Sequence, residues 1–163
     1  RNIGFVGSVD RTTSIMDRYG GYLRAMMTAA LPVREEWRLR DADEAGRYIP
    51  QFELPEKMPT AFVCNNDMVA CALAAQLEAR GLRVPQDVSL VGFDNYVYGE
   101  GTRPITTYAV DQQRMAQETV RRLKTRIHEG MEGPVRLSVG GWFVERDSVM
   151  DLRTGRRCHP AEE

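Results

Sequence analysis

Gly81-Leu82-Arg83-Val84-Pro85-Gln86-Asp87-Val88-Ser89-Leu90-Val91-Gly92-Phe93-Asp94-Asn95 is the stretch on which the fold turns. Gly81 fits the left-handed position that closes a helix, because it has no Cβ to clash there. Val84 to Asp87 reads as a turn around a proline. Val88 to Phe93 is an apolar run too short for a helix and bounded by turn residues. That is the pattern of a strand buried on both faces. Asp94 ends it.

The same unit repeats upstream. Thr60 to Asn65 reads as a buried strand, and Asn66 or Asp67 caps a helix over Met68 to Arg80. Earlier still, Ile3 to Gly7 reads as a strand, followed by a polar loop. Ile15, Tyr19, Tyr22, Met26 and Ala30 then recur at helical spacing until Pro32 stops them. Val33 to Leu39 holds room for a short strand. Asp43 is placed to cap a second helix carrying Ala45, Tyr48 and Ile49, broken by Pro50, Pro55 and Pro59.

Downstream, residues 95–104 read as a loop and Thr106 to Val110 as an extended piece. Asp111 caps a long helix with Met115, Val120, Leu123 and Ile127 as its apolar positions, stopped at Gly130. Val135 to Val139 and Gly141 to Glu145 read as two more strands. Residues 150–163 read as a polar tail without regular structure. Strands alternating with helices predict an α/β fold: a doubly wound parallel sheet with helices on both faces.

Composition narrows the function. The chain has 163 residues, enough for one compact domain or for one lobe with part of another. Its 22 basic and 23 acidic side chains leave a net charge of −1, which gives no electrostatic reason to bind nucleic acid unaided. No apolar run approaches the roughly 20 residues of a membrane span, and the N-terminal residues lack the order of a secretory signal. Cys64, Cys71 and Cys158 show neither CxxC nor metal spacing. Cys64 and Cys71 read as packed thiols of a reducing cytoplasm. No cofactor or metal is called for.

In parallel sheets ligands bind outside the carboxyl ends of the strands. The first strand leads to Ser8, Asp10, Thr12, Ser14 and, one turn into the helix, Arg18. The strand at 60–65 leads to Asn65, Asn66 and Asp67, and the strand at 88–93 leads to Asp94 and Asn95. A forked arginine donor beside carboxylate and amide groups suits a polyhydroxylated or heteroaromatic ligand. Each residue also has a plainer reading. Asn66, Asp67 and Ser14 could be helix caps, Asp94 a turn former, and Arg18 a solvated charge.

Four segments, in order, resemble the LacI/GalR family of bacterial transcription regulators. They are Ile3 to Gly7 followed by Arg18-Tyr19-Gly20-Gly21-Tyr22; Asn66-Asp67-Met68-Val69-Ala70; the run from Gly81 to Asn95; and Pro104-Ile105-Thr106-Thr107 with Arg146-Asp147-Ser148. The resemblance runs from residue 2 to about residue 149. It implies a two-lobed fold like that of periplasmic sugar-binding proteins. Residues 1–108 and 141–149 would form the second lobe, and residues 109–140 would cross over and give a helix to the first.

The resemblance also implies a homodimer, with contacts on this lobe from residues 67–80 and 96–104. It implies a small-molecule effector, a sugar or related polar metabolite, held between the lobes without chemistry on it. Operator DNA would be met only through a helix-turn-helix head lying upstream of this chain, with no membrane partner. By the family's pattern Arg18, Asn66 and Asp94 are effector contacts, and Ser14 stands where some members also touch ligand. Two positions depart from the pattern. Many members place a stacking aromatic five residues before the glycine of the second helix; here that position is Asp41. Val110 stands where some members carry glutamine. Asp41 is thus either a polar effector contact or a solvated loop charge.

Two other readings stay open. A transport-type solute-binding protein shares the fold, though the Val-Pro-Gln-Asp-Val-Ser and Gly-Phe-Asp runs favour a regulator. An enzyme would use Asp94 as nucleophile or metal ligand. His128 and His159 lie far in sequence from the strand ends, and neither a GxSxG elbow nor a phosphate loop occurs.

Overall fold

A computed structural model describes residues 2–96, 103–130, 133–151 and 153–157. β1 (Ile3–Val6) leads into α1 (Thr13–Thr28), a 3₁₀ turn at Glu35–Trp37 and β2 (Arg38–Leu39). β3 (Ala61–Cys64) leads into α2 (Asp67–Ala79) and β4 (Ser89–Asp94). β5 (Thr106–Val110) leads into α3 (Gln112–His128) and β6 (Gly141–Val144). A short hairpin pairs β7 (Met150–Asp151) with β8 (Arg156–Arg157).

The main sheet has the order β2-β1-β3-β4-β5-β6. The first five strands are parallel, and β6 runs antiparallel to β5. Side chains alternate between the two faces of each strand. Phe5 and Val63 face Tyr22 and Met26 of α1. Val6, Phe62, Cys64 and Leu90 face Val69, Leu73 and Leu77 of α2. The register pairs Phe5 with Val63 and Val6 with Cys64, so each face presents a continuous apolar surface. This is the doubly wound arrangement that the alternating pattern predicts.

The caps follow ordinary chemistry. Thr12 accepts a hydrogen bond from the backbone N–H of Ile15, Asn66 from Val69 and Asp111 from Arg114, each satisfying an otherwise unpaired helix donor. Behind the sheet, Ser148 ties β4 to β5. Its hydroxyl donates to the Leu90 carbonyl and accepts from the Thr106 N–H.

Three expected elements differ. No helix forms after Asp43. Asp43 instead accepts from the Arg47 N–H and closes a turn in which Ala42 bridges Tyr48. Pro50 leaves too few residues for a stable helix, and Phe52 is clamped extended by Gln76, which bonds both its N–H and its carbonyl. Residues 135–139 form no strand, because β6 takes the edge of β5. The polar tail closes the β7–β8 hairpin as far as residue 157; Cys158 and His159 lie outside the described residues. So do residues 97–102 of the loop expected at a dimer contact.

Packing is uneven along the chain. Leu73 is wholly buried, whereas α3 buries none of its residues, and Leu123 stands 57% exposed. Leu73→Ala is therefore expected to cost about 2–5 kcal/mol in urea unfolding of this chain. Leu123→Ala should change stability by less than about 0.5 kcal/mol. Equal losses at the two positions would overturn this division.

Candidate functional site

The carboxyl ends of β1, β2, β3 and β4 lie along one edge of the sheet. Arg18, in the second turn of α1, reaches over that edge. Its Nη1 donates to the Asn65 carbonyl at 2.8 Å and to Asn65 Oδ1 at 3.0 Å. Its Nη2 donates to Asp94 Oδ1 at 3.3 Å. The guanidinium lies over the Phe93 ring, 3.9 Å from its centre, a stacking contact that holds the plane of the group. Burial draws the Arg18 value downward, opposed by the Asp94 charge. An arginine stays protonated regardless. Side-chain exposure is 23% for Arg18 and 35% for Asp94, so the pair is open to a ligand on one side.

Asp94 and Asn95 both have positive φ, 94° and 55°. Residues without glycine's freedom resist that region, and such strain gathers at functional sites. Asp67 holds the turn that follows. It is 3% exposed, and its Oδ2 accepts from the Tyr96 N–H at 2.8 Å. A Cβ on Gly92 would collide with Asp67 Oδ1, so glycine leaves room for this carboxylate. Burial pushes the Asp67 carboxyl up, against the pull of bonds from Thr107 and Tyr96.

The expected residues fall in three groups. Arg18 and Asp94 are brought together. Asn66 stays at the head of α2, its Oδ1 used as the cap. Ser14 is exposed, one residue inside α1, with its hydroxyl 3.0 Å from that of Thr12, which is the actual cap. The solvated reading of Asp41 is corrected, since it is 6% exposed. Its Oδ1 accepts from the Ser8 N–H at 2.7 Å and its Oδ2 from Asn65 Nδ2 at 3.0 Å. It stands behind the edge, facing protein donors.

Phe93 is the residue that pattern reading passes over, because it reads simply as core. Asn65 is read among the polar groups at the strand ends, but its bonds to Arg18 are not. A large hollow, about 1090 Å³, lies elsewhere, beside β2, among Asp10, Glu35, Arg38, Arg40 and Glu53. The convergent polar groups at the strand ends, rather than this volume, mark the candidate site.

Comparison with known proteins places the chain in a family. Residues 1–149 match the model of the periplasmic binding protein-like domain family. The chain belongs to that family, and its relatives are LacI-family regulators. The HTH-type transcriptional repressor PurR of Pectobacterium carotovorum is 30% identical over 93% of this chain and 46% of its own length. The chain thus spans about half the length of the curated relatives it matches. The Escherichia coli transcriptional repressor ascG superposes with a TM-score of 0.70 at 26% identity, covering 92% of this chain and 56% of that one. A transcriptional regulator CelR–cellobiose complex gives 0.74 at 25% identity, covering 91% and 46%.

The raised Asp67 value makes a pH prediction. An acid that holds its proton more tightly when folded loses stability as pH rises from the ordinary value near 3.8 to the raised one. Above that window the penalty is constant. Asp67→Asn should therefore gain stability relative to the native chain as pH rises from about 4 to about 7. Urea unfolding across that range checks it, and parallel stability curves would refute it.

Proposed function

We propose that this chain is the ligand-sensing part of a LacI/GalR-type transcription regulator. The observation that carries the reading is the Arg18–Asp94 pair, half-open at the carboxyl edge of a parallel sheet. Residues 1–108 and 141–149 form one lobe of the sensor, and residues 109–140 belong to the other. The exposed apolar stripe of α3 supports that division. A small polar metabolite binds between the lobes, and its binding shifts the geometry of a homodimer. Operator DNA is reached through a separate head upstream. The protein acts in the cytoplasm. It binds its effector without transforming it.

The charges favour a neutral effector. Arg18 lies between Asp94 and, through Asn65, Asp41, and the Arg146 guanidinium reaches Asn95 beside them. Carboxylates thus match the cations here and leave none spare for an anion, whereas hydroxyl groups can give to Asp94 and accept from Arg18. The CelR complex holds cellobiose, a ligand of that neutral, hydroxylated kind. Asn66 and Ser14 flank the pair and add polar contacts.

A thermal-shift screen of the full-length protein tests this, with neutral sugars, sugar phosphates, purines and amino acids. A neutral ligand at about a hundred times its Kd should raise the Tm by roughly 3–5 °C. Asp94→Ala should abolish the shift. A shift that survives Asp94→Ala, or a preference for the phosphorylated sugars, would overturn the assignment.

A further inference from the structure

Asn65 bonds groups of opposite charge on its two sides. Its Nδ2 donates to the Asp41 carboxylate at 3.0 Å, and its Oδ1 accepts from the Arg18 guanidinium at 3.0 Å. Asp41 is fixed in turn. Its second oxygen accepts from the Ser8 N–H, and the Ser8 hydroxyl accepts from the N–H groups of Asp41 and Ala42. Ser8, Asp41 and Asn65 are all buried. The chain of bonds runs from the end of β2, past β1 and β3, to α1.

From this juxtaposition we infer that Asn65 and Asp41 form a positioning pair for Arg18, and that their two side chains are matched to each other. An arginine has five N–H donors. Asn65 takes both N–H groups of Nη1, through its carbonyl and its side chain, and Asp94 takes one from Nη2. The Nη1 end is thereby turned into the protein. Among the described residues, the Nε–H and the second Nη2–H are the donors left over, on the side of Asp94. The pair thus decides which donors of Arg18 a ligand can use.

The amide is chemically required. Aspartate at position 65 would set its oxygen against Asp41 Oδ2, two acceptors in contact with no proton between them. Asparagine at position 41 would turn an N–H₂ toward either the Ser8 N–H or the Asn65 amide, setting donor against donor. Exchanging the two residues restores every bond. The amide, now at position 41, would accept from Ser8 and donate to the carboxylate at position 65. That carboxylate would in turn accept from Arg18. The ligand-binding consequence rests on the effector-site reading above, but the positioning of Arg18 does not, so the test is made without a ligand.

The experiment measures phenylglyoxal modification of Arg18 in the folded full-length protein by peptide mass spectrometry. Arg103, comparably buried and paired with Glu78 away from this edge, serves as internal reference. Asp41→Asn and Asn65→Asp should each raise the Arg18-to-Arg103 rate ratio. The exchange Asp41→Asn/Asn65→Asp should return the ratio and the Tm toward the native values. General loosening of the fold would raise both arginines together and leave the ratio unchanged, which would overturn the proposal. So would an exchange variant that behaves like the single variants. If Asn65→Asp does not fold, Asp41→Asn and the exchange variant decide the matter alone. A restored ratio together with a ligand shift insensitive to Asp94→Ala would remove the effector-site reading and leave this one standing.

Discussion

Parallel strands that end together leave their last backbone groups without ladder partners, and the carboxyl edge of this sheet has to satisfy them with side chains. Four strands stop within a few residues of one another there. Ser8 and Asp41 close the gap between β1 and β2, and Asn65 extends the tie from β3. Arg18 crosses from α1 to collect the Asn65 carbonyl. Asp67 takes the N–H of Tyr96 beyond β4. The groups that make the edge a candidate ligand site are largely the groups that complete its hydrogen bonding.

This economy explains how a buried aspartate is tolerated. Moving a carboxylate out of water is costly unless it is bonded or paired. Asp41 receives a backbone N–H and an amide N–H, and the amide passes on to the guanidinium of Arg18. Asp94 then faces the same guanidinium from the other side, where water still reaches it. The inner carboxylate is committed to the protein and the outer one is free to exchange water for a ligand. Half-exposed ion pairs add little stability, so the Arg18–Asp94 contact is better understood through what it can bind than through what it holds together.

The framework was legible because its signals are local. Buried parallel strands read as short apolar runs, and Asn66, Asp111 and Gly81 mark helix ends by chemistry confined to a few residues. The segment after Asp43 misled for the opposite reason. Ala45, Tyr48 and Ile49 have helical spacing, but Gln76, distant in sequence, holds Phe52 extended. Residues 135–139 alternate like a strand yet find the sheet edge already taken by β6. At the site, Arg18 and Asp94 were legible from their places at strand ends. Asp41 was not, since a lone charge in a loop reads as solvated until Ser8 and Asn65 are seen around it.

The same contrast between local and distant stabilisation bears on α3. Its seventeen residues have a good cap at Asp111 and an ion pair between Glu118 and Arg121. An isolated helix of that length is marginal in water, because helices in proteins owe most of their stability to a covered apolar face. Val120, Leu123 and Ile127 form such a face and leave it exposed. Trp142 and Phe143 on β6 are exposed too. A chain that buries Leu73 and Leu90 completely on one side and leaves an ordered stripe bare on the other has one finished core and the beginning of a second. The curated relatives it matches are about twice as long. On the reading proposed above, the bare stripe is where the other lobe would pack, and the Arg18–Asp94 edge would be one wall of the cleft between them.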